Sequence, residues 1–184
     1  LDHLHTLAQP LSRCRRSSVS PVGNRAIKRL LVANRGEIAR RIAVSCTALG
    51  IEVVAVHSDA DSDAPYAREA AIRVRLPGTS PADTYLRSDL IVQAARAAGA
   101  DAVHPGYGFL AENAAFARAV LEAGLIWVGP PPSAIAAMGS KVESKRLMRE
   151  AGVPVLPEGL EAGFPALVKA SAGGGGRGMR IVRR

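Results

Sequence analysis

A glycine-rich segment near the carboxyl end of the sequence has the residue types of a phosphate-binding loop. Residues 171–179 read Ser-Ala-Gly-Gly-Gly-Gly-Arg-Gly-Met. Consecutive glycines let backbone amides approach a polyphosphate without side-chain obstruction. Apolar runs on both sides predict two strands, so this glycine-rich segment is expected to be the tip of a β-hairpin. A flexible tip or linker without a ligand is the alternative.

Other classes of phosphate loop fit the glycine-rich segment poorly. Its glycines satisfy the pattern G-x-G-x-x-G, but a dinucleotide-binding fold needs a helix after the loop and a strand is predicted here. A Walker loop needs Gly-Lys-Ser or Gly-Lys-Thr, which residues 139–142, Gly-Ser-Lys-Val, do not supply. A protein kinase places its lysine on a strand after the loop, whereas Lys169 precedes it.

Lys169 is a candidate phosphate ligand because it lies in an apolar strand pattern, Leu-Val-Lys-Ala, just before the glycine-rich segment. An inward-facing lysine there would be costly to desolvate unless it met an anion. The alternative is a lysine on the solvent face of an edge hairpin. The adjacent glycines favour the phosphate interpretation.

Residues 104–113, His-Pro-Gly-Tyr-Gly-Phe-Leu-Ala-Glu-Asn, form a second candidate site. They follow a short apolar run that predicts a parallel strand. Open α/β sheets bind ligands at the carboxyl ends of such strands. A tight strand-to-helix turn whose aromatic rings pack on the core is the alternative, and the spacing alone leaves both open.

The sequence Asp59-x-Asp61-x-Asp63 resembles the start of a calcium loop. That loop requires Gly at its sixth position and Glu at its twelfth, where this chain has Ala64 and Ala70. Calcium binding is therefore rejected, and the three aspartates are expected to lie in a solvated turn.

The elements that must position these residues alternate between strand and helix. Such alternation predicts an α/β fold with a doubly wound, parallel, Rossmann-like sheet over residues 27–131. Its predicted strands are 30–33, 51–56, 71–74, 102–103 and 125–128. Its helices are expected to begin after the turn at Gly36 and at Pro65, Asp83 and Glu112. The helical spacing directs Leu49, Leu86 and Leu121 inward. Residues 132–184 are expected to form two helices and then the hairpin of an incomplete second domain.

Charge and composition exclude several functions. The net charge is +8, but residues 1–29 hold six basic groups against Asp2 alone, which leaves the rest near balance. Nucleic-acid binding is therefore disfavoured. No apolar run approaches the roughly 20 residues of a membrane span. Two cysteines build neither a disulfide framework nor a zinc site. Residues 1–26 are interpreted as a disordered or non-native tail, with a transit peptide as the alternative.

Four segments together resemble one family, the biotin carboxylases of the ATP-grasp superfamily. They are Ala-Asn-Arg-Gly-Glu-Ile-Ala at 33–39, the His-to-Asn segment at 104–113, Met-Gly-Ser-Lys at 138–141, and residues 169–179. Their order and spacing hold over almost the whole chain outside the tail. Two departures are Ser140, where the family usually has Asp, and the short stretch between Val153-Pro154 and Phe164-Pro165.

The resemblance implies roles for particular residues. Lys141 and Lys169 would contact the nucleotide phosphates, and backbone amides of Gly174, Gly175, Gly176 and Gly178 would close over the triphosphate as a lid. His104, Tyr107, Gly108 and Glu112 would lie near the carboxylation centre. The family's metal-binding glutamates and catalytic arginine are expected beyond Arg184. No metal ligand or catalytic residue is therefore assigned, and the chain alone is expected to be an inactive amino-terminal part.

The resemblance also implies the cofactors and partners. ATP with Mg²⁺ (or Mn²⁺) would activate bicarbonate, and biotin held on a carrier protein or domain would accept the carboxyl group before a carboxyltransferase uses it. A homo-oligomer in the cytoplasm is expected, or in the mitochondrial matrix if residues 1–26 are a transit peptide. The alternatives are a non-catalytic remnant that binds nucleotide or a carboxylase partner, and another ATP-grasp ligase, which the motifs at 33–39 and 104–113 disfavour.

Overall fold

The computed structural model describes residues 26–156, 163–168 and 179–183. Five parallel strands form one sheet in the order β3-β2-β1-β4-β5: β1 Arg29–Val32, β2 Glu52–His57, β3 Ile72–Arg75, β4 Ala102–His104 and β5 Ile126–Trp127. The helices are α1 Gly36–Ala48, α2 Pro65–Glu69, α3 Ser88–Ala97, α4 Ala114–Glu122, α5 Pro132–Gly139 and α6 Lys141–Glu150. The prediction of a doubly wound parallel α/β sheet is confirmed.

Two hydrophobic cores cover the two faces of the sheet. Residues of α1 and α2 pack with Leu30, Val32 and Val53 on one face. Residues of α3, α4 and α5 pack with Leu31, Val54 and other alternate strand positions on the opposite face. Because β1, β2 and β4 are covered on both sides, their buried residues read in sequence as unbroken apolar runs. The edge strand β3 instead alternates apolar residues with exposed arginines. Cys46 is buried in the first of these cores.

The strand order reverses between β1 and β4. The chain runs outward from β1 through β2 to β3, then crosses to the other side of β1 to build β4 and β5. The pairing of β1 with β4 continues past the strands, since the amide of Ala33 donates to the carbonyl oxygen of His104 at 2.8 Å. A reversal of this kind leaves a crevice at the carboxyl ends of the two central strands, where ligands bind in open α/β folds.

Asp101 closes the opposite end of the same two strands. One of its carboxylate oxygens accepts from the backbone amides of Lys28, at 3.0 Å, and Arg29, at 2.9 Å. The guanidinium of Arg29 then reaches the carbonyl oxygen of Ala98 at 2.6 Å and forms an ion pair with Glu52. The backbone at the start of β1 is therefore hydrogen-bonded to the loop that precedes β4.

We expect Asp101→Ala to lower the free energy of unfolding by about 2 kcal/mol, because charge-assisted hydrogen bonds contribute about 1.5–3 kcal/mol. Asp89→Ala is the matched control, since Asp89 forms an exposed ion pair with Arg87 and such pairs contribute about 0–1 kcal/mol. Urea unfolding of the three proteins measures the difference. Equal losses in both variants would contradict the role given to Asp101.

Three leucines predicted to face inward do not. Leu49 is 74% exposed, Leu86 43% and Leu121 42%. Leu49 lies beyond the end of α1, so the helical period no longer directs it. Leu86 precedes α3, which begins at Ser88 and not at Asp83 as predicted. Residues 81–86 form turns that bury Thr84 and Tyr85 instead.

The start of α4 also differs from the prediction. The helix begins at Ala114 instead of Glu112, because the side-chain oxygen of Asn113 accepts from the amide of Phe116 at 3.0 Å and caps it. Gly50, two residues beyond the end of α1, has a left-handed φ of +68°.

The predicted hairpin strands are present. Strand β6, Ala166–Val168, pairs antiparallel with β7, Arg180–Val182. The glycine-rich segment, Lys169 and the tail at 1–25 lie outside the described residues, except for Met179. None of the described helices has the length and apolar character needed to cross a membrane.

Candidate functional site

The loops that follow β1 and β4 meet at the strand-order reversal, and Asn34 joins them. Its side chain is 1% exposed. The amide nitrogen Nδ2 donates to the carbonyl oxygens of Pro105, at 2.8 Å, and Tyr107, at 3.0 Å. The amide oxygen accepts from the backbone of Arg35 at 2.9 Å. Asn34 therefore supplies a hydrogen-bond partner to the buried carbonyl of Pro105 and to the part-buried carbonyl of Tyr107.

Residues 104–109, here called the strand-end loop, have an unusual backbone. Gly106, Gly108 and Phe109 have φ values of +65°, +70° and +41°. Gly106 also packs closely: a Cβ atom on it would lie 2.7 Å from Nδ2 of Asn34 and 2.8 Å from Cγ2 of Ile38. Phe109 holds a left-handed conformation that a non-glycine residue rarely adopts, so contacts elsewhere must hold it.

The four residues expected near a substrate are placed as follows. His104 is half-buried, and its Nδ1 accepts from the amide of Gly106 at 2.9 Å. Tyr107 is 62% exposed and its hydroxyl donates to Oε1 of Glu37 at 2.5 Å. Gly108 is exposed beside it, and Glu112 is exposed ahead of α4. The structure therefore brings His104, Tyr107 and Gly108 together on the strand-end loop, whereas Glu112 lies beyond it.

The protonation states of this loop follow from its contacts. Burial lowers the pKa of His104, and because its Nδ1 accepts a hydrogen bond, the neutral ring carries its proton on Nε2. The hydrogen bond to Glu37 raises the pKa of Tyr107. At neutral pH the loop thus offers a neutral imidazole and a neutral phenol whose proton points to the first turn of α1.

A second set of contacts joins Arg35 to Phe109 of the strand-end loop, to Tyr85 and to Asp61. These contacts were not predicted from the sequence. The guanidinium of Arg35 lies 5.5 Å from the ring centre of Tyr85 and 5.7 Å from that of Phe109. The two rings stack on each other, with centres 5.3 Å apart and planes 14° apart. Arg35 also donates to Oδ2 of Asp61 at 3.2 Å.

Asp61 is the centre of this network, and the expectation of a solvated turn is wrong for it. Besides Arg35, its Oδ2 accepts from the hydroxyls of Ser58, at 2.8 Å, and Tyr85, at 2.6 Å. The Tyr85 oxygen accepts in turn from the amide of Ser58 and is 2.9 Å from the hydroxyl of Tyr66. Asp59 does lie in an exposed position, where it pairs with Arg75.

The network fixes the charges of its members. Burial opposes ionisation of Asp61, but the hydrogen bonds from Tyr85, Ser58 and Arg35 outweigh it and lower the pKa of that carboxyl. Burial, together with the bond to Asp61, raises the pKa of Tyr85. Asp61 is therefore an anion and Tyr85 a neutral donor throughout the neutral range.

A lowered pKa for Asp61 gives this chain a specific sensitivity to acid. The ionised carboxyl stabilises the folded state above its unfolded pKa, about 3.9, and that stabilisation is lost as the pH falls through the lower folded value. We expect the melting temperature to fall less between pH 6 and pH 3 in Asp61→Asn than in the unsubstituted chain. Calorimetry at both pH values measures this, and identical acid-induced shifts would contradict it.

Of the residues expected to bind phosphate, the structure describes Lys141 alone. It is the first residue of α6 and is half-buried. Ser140 caps that helix, its hydroxyl oxygen accepting from the amide of Glu143 at 3.3 Å. Serine in this position thus keeps the capping capacity of an aspartate. Within the described ranges, no group of three or more His, Cys, Asp or Glu side chains could hold a metal ion.

Comparison with known families divides the chain into two matched segments. Residues 26–135 match the family described as biotin carboxylase, N-terminal domain. Residues 140–184 match the family described as carbamoyl-phosphate synthase L chain, ATP binding domain. The first match includes both loops at the strand-order reversal, and the second includes Lys141, Lys169 and the glycine-rich segment.

Individual relatives agree with these matches. The chain is 48% identical over 173 residues to the mitochondrial methylcrotonoyl-CoA carboxylase subunit alpha of Oryza sativa, covering 86% of this chain and 24% of that protein. It is 46% identical over 171 residues to biotin carboxylase 1 of Bacillus subtilis, covering 85% and 38%. The chain therefore spans about a quarter to two fifths of the length of these relatives.

A solved structure gives the same result in three dimensions. The biotin carboxylase domain dimer of Hydrogenobacter thermophilus 2-oxoglutarate carboxylase, in complex with MgADP and bicarbonate, matches with a TM-score of 0.80 and 45% identity. The match covers 86% of this chain and 38% of the solved one.

Proposed function

Because the chain belongs to the biotin carboxylase family, whose members are ATP-dependent ligases, we propose that it forms the front part of an enzyme that uses MgATP and bicarbonate to carboxylate biotin. One observation carries the proposal. The two family motifs that lie far apart in sequence, at 33–39 and 104–113, meet at the crevice-forming end of β1 and β4 through Asn34.

In this proposal the residues of the crevice contact bicarbonate and biotin, the two substrates between which the carboxyl group is transferred. His104, Tyr107, Gly108 and Glu112 line the approach of bicarbonate and biotin. Exposure of Tyr107 and Gly108 supports this, because both are open to a ligand at the carboxyl end of the sheet. The neutral imidazole of His104, held by Gly106, keeps its Nε2–H for a partner outside the loop.

The nucleotide side belongs to the later part of the chain in this proposal. Lys141 and Lys169 neutralise phosphate charge, and amides of Gly174, Gly175, Gly176 and Gly178 cover the triphosphate. Phosphoryl transfer depends mainly on positioning and on neutralising charge, which lysines and backbone amides supply. We accordingly assign 27–131 to the amino-terminal domain and 132–184 to the start of the nucleotide-binding domain.

The relatives support the proposed cofactors and partners. The solved relative holds MgADP and bicarbonate as a dimer, which supports Mg²⁺, bicarbonate and a homo-oligomer for this protein. Biotin on a carrier protein or domain is the proposed acceptor, and a carboxyltransferase the proposed consumer. Rice and soybean relatives are mitochondrial by name, which supports a matrix location for this protein if residues 1–26 are a transit peptide.

A chimeric enzyme tests the proposed function. Residues 26–183 replace the matching segment of the Bacillus subtilis biotin carboxylase 1, and ADP release is measured with and without bicarbonate. We expect ATP cleavage that depends on bicarbonate, as in the unaltered bacterial enzyme. A folded chimera that cleaves no ATP, or cleaves it equally without bicarbonate, would favour a non-catalytic remnant instead.

Within this chimera, Lys141→Ala is expected to raise the KM for MgATP at least about tenfold, because a charge-assisted contact contributes about 1.5–3 kcal/mol. Lys145→Ala is the matched control, one turn further along α6 and also half-buried. Steady-state kinetics at saturating bicarbonate measure both. Equal KM values in the two variants would remove Lys141 from the phosphate site.

A further inference from the structure

We propose that Arg35 and Asp61 are positioning residues that hold the strand-end loop in its active shape from behind. The proposal rests on the proposed function and deepens it. Neither side chain is needed to face a substrate in this role. Arg35 acts through Phe109, and Asp61 acts through Arg35.

Phe109 is the point at which the strand-end loop needs support. It has φ +41°, a conformation that costs free energy for a residue with a side chain. Its ring is only partly buried against the core. The contacts that hold it are the stacked ring of Tyr85 and the guanidinium of Arg35. A planar cation over two aromatic rings is a geometry that arginine provides and lysine does not.

Asp61 fixes the other end of the arginine side chain. Its Oδ2 receives hydrogen bonds from Arg35, Ser58 and Tyr85. Ser58 and Tyr85 are both 0% exposed, so these donors belong to the packed core. The link therefore runs from the buried carboxyl end of β2, through Asp61 and Arg35, to Phe109 after β4.

The contacts from Asp61 through Arg35 to Phe109 also restrain Tyr107 and Gly108, because these two residues directly precede Phe109 in the chain. Asn34 already holds the first half of the strand-end loop through the carbonyls of Pro105 and Tyr107. Arg35 holds its second half. Two adjacent residues of the β1–α1 loop, Asn34 and Arg35, thus contact the strand-end loop on either side of Gly108. Glu37, in the first turn of α1, accepts from the Tyr107 hydroxyl. Loss of Arg35 is expected to loosen the loop without unfolding the sheet.

Amide hydrogen exchange in the 184-residue chain tests the link directly. The amide of Gly106 is bonded to His104 and that of Ala111 to the Gly108 carbonyl, so both report on the loop. We expect Arg35→Met to accelerate exchange at these two amides about tenfold or more, and Asp61→Asn to do so as well although it does not touch the loop. Amides of β1 and β2 should change less than about twofold.

Each substitution has a matched control. Arg40→Met removes an arginine of α1, which pairs with Glu69 in an exposed position. Asp59→Asn alters the same turn as Asp61, at a carboxylate bonded to Arg75 and to the amide of Gly78. Neither control should change exchange at Gly106 or Ala111. Unchanged exchange in Arg35→Met, or acceleration that is uniform over the sheet, would overturn the link.

Kinetics in the chimeric enzyme test the consequence for the reaction. Arg35→Met should lower kcat for carboxybiotin formation about tenfold or more while the KM for MgATP stays within about twofold, and Arg40→Met should change neither. If the unsubstituted chimera is inactive, the proposed function is wrong. The exchange data would still show whether Arg35 and Asp61 hold the strand-end loop. Accelerated exchange with an unchanged kcat would overturn the positioning role.

Discussion

Gly106→Ala is expected to lower the free energy of unfolding by about 2–5 kcal/mol. The left-handed backbone of Gly106 costs about 1–2 kcal/mol for a residue with a side chain. The new methyl group would also lie within 3 Å of the Asn34 amide and the Ile38 side chain, and overpacking of this kind adds about 1–3 kcal/mol. Urea unfolding, monitored by the fluorescence of the single tryptophan, measures the loss.

Gly50→Ala separates the two contributions to this loss. Gly50 has φ +68°, almost the value of Gly106, but a Cβ on it would meet nothing within 4 Å. Its substitution is expected to cost only the backbone term, about 1–2 kcal/mol. Equal losses at the two glycines would show that the contact between the β1 and β4 loops is not tight.

Asn34→Ala is the second substitution with a large expected effect, a loss of about 2–4 kcal/mol. It would remove the Asn34 amide from the buried carbonyl oxygen of Pro105 and from the part-buried carbonyl oxygen of Tyr107. An unsatisfied buried polar group costs about 1–3 kcal/mol. In the chimeric enzyme the same substitution should abolish most carboxylation, because the strand-end loop loses its attachment to β1.

Asn113→Ala is the control for this loss. Asn113 is exposed and its side chain caps α4 by accepting from the amide of Phe116. Loss of such a cap costs about 1 kcal/mol. Thermal or urea unfolding of the two variants should therefore differ clearly, and a loss at Asn34 no greater than that at Asn113 would contradict the joining role of Asn34.

The sheet could be predicted from sequence because its central strands are buried on both faces. Runs such as Leu30 to Val32 are apolar throughout, and a glycine two residues beyond α1, α3, α4 and α6 marks where each of these helices ends. The order of the strands in the sheet could not be predicted from these apolar runs, because it depends on where the chain crosses from one side of β1 to the other. The ligand-binding end could therefore be predicted for β4 alone, and its contact with the loop after β1 appears only in the structure.

The Arg35–Asp61 network could not be predicted for a related reason. Its members, including Tyr85 and Phe109, come from four loops that sequence spacing treats as unrelated. Tyr85 in addition lies in a stretch whose leucine spacing indicates a helix from Asp83. The structure places a turn there because the Tyr85 hydroxyl is bonded to Asp61 and to the Ser58 amide. Tertiary hydrogen bonds outweigh a local helical pattern at this point.

Transfer of labelled carbon from bicarbonate to biotin is the most direct measurement of the central claim. The chimera carrying residues 26–183 is incubated with MgATP, radiolabelled bicarbonate and biotin attached to its carrier protein. We predict that label accumulates on biotin only when ATP is present. A folded chimera that binds ATP yet leaves biotin unlabelled would contradict the assignment of this chain to the carboxylation site.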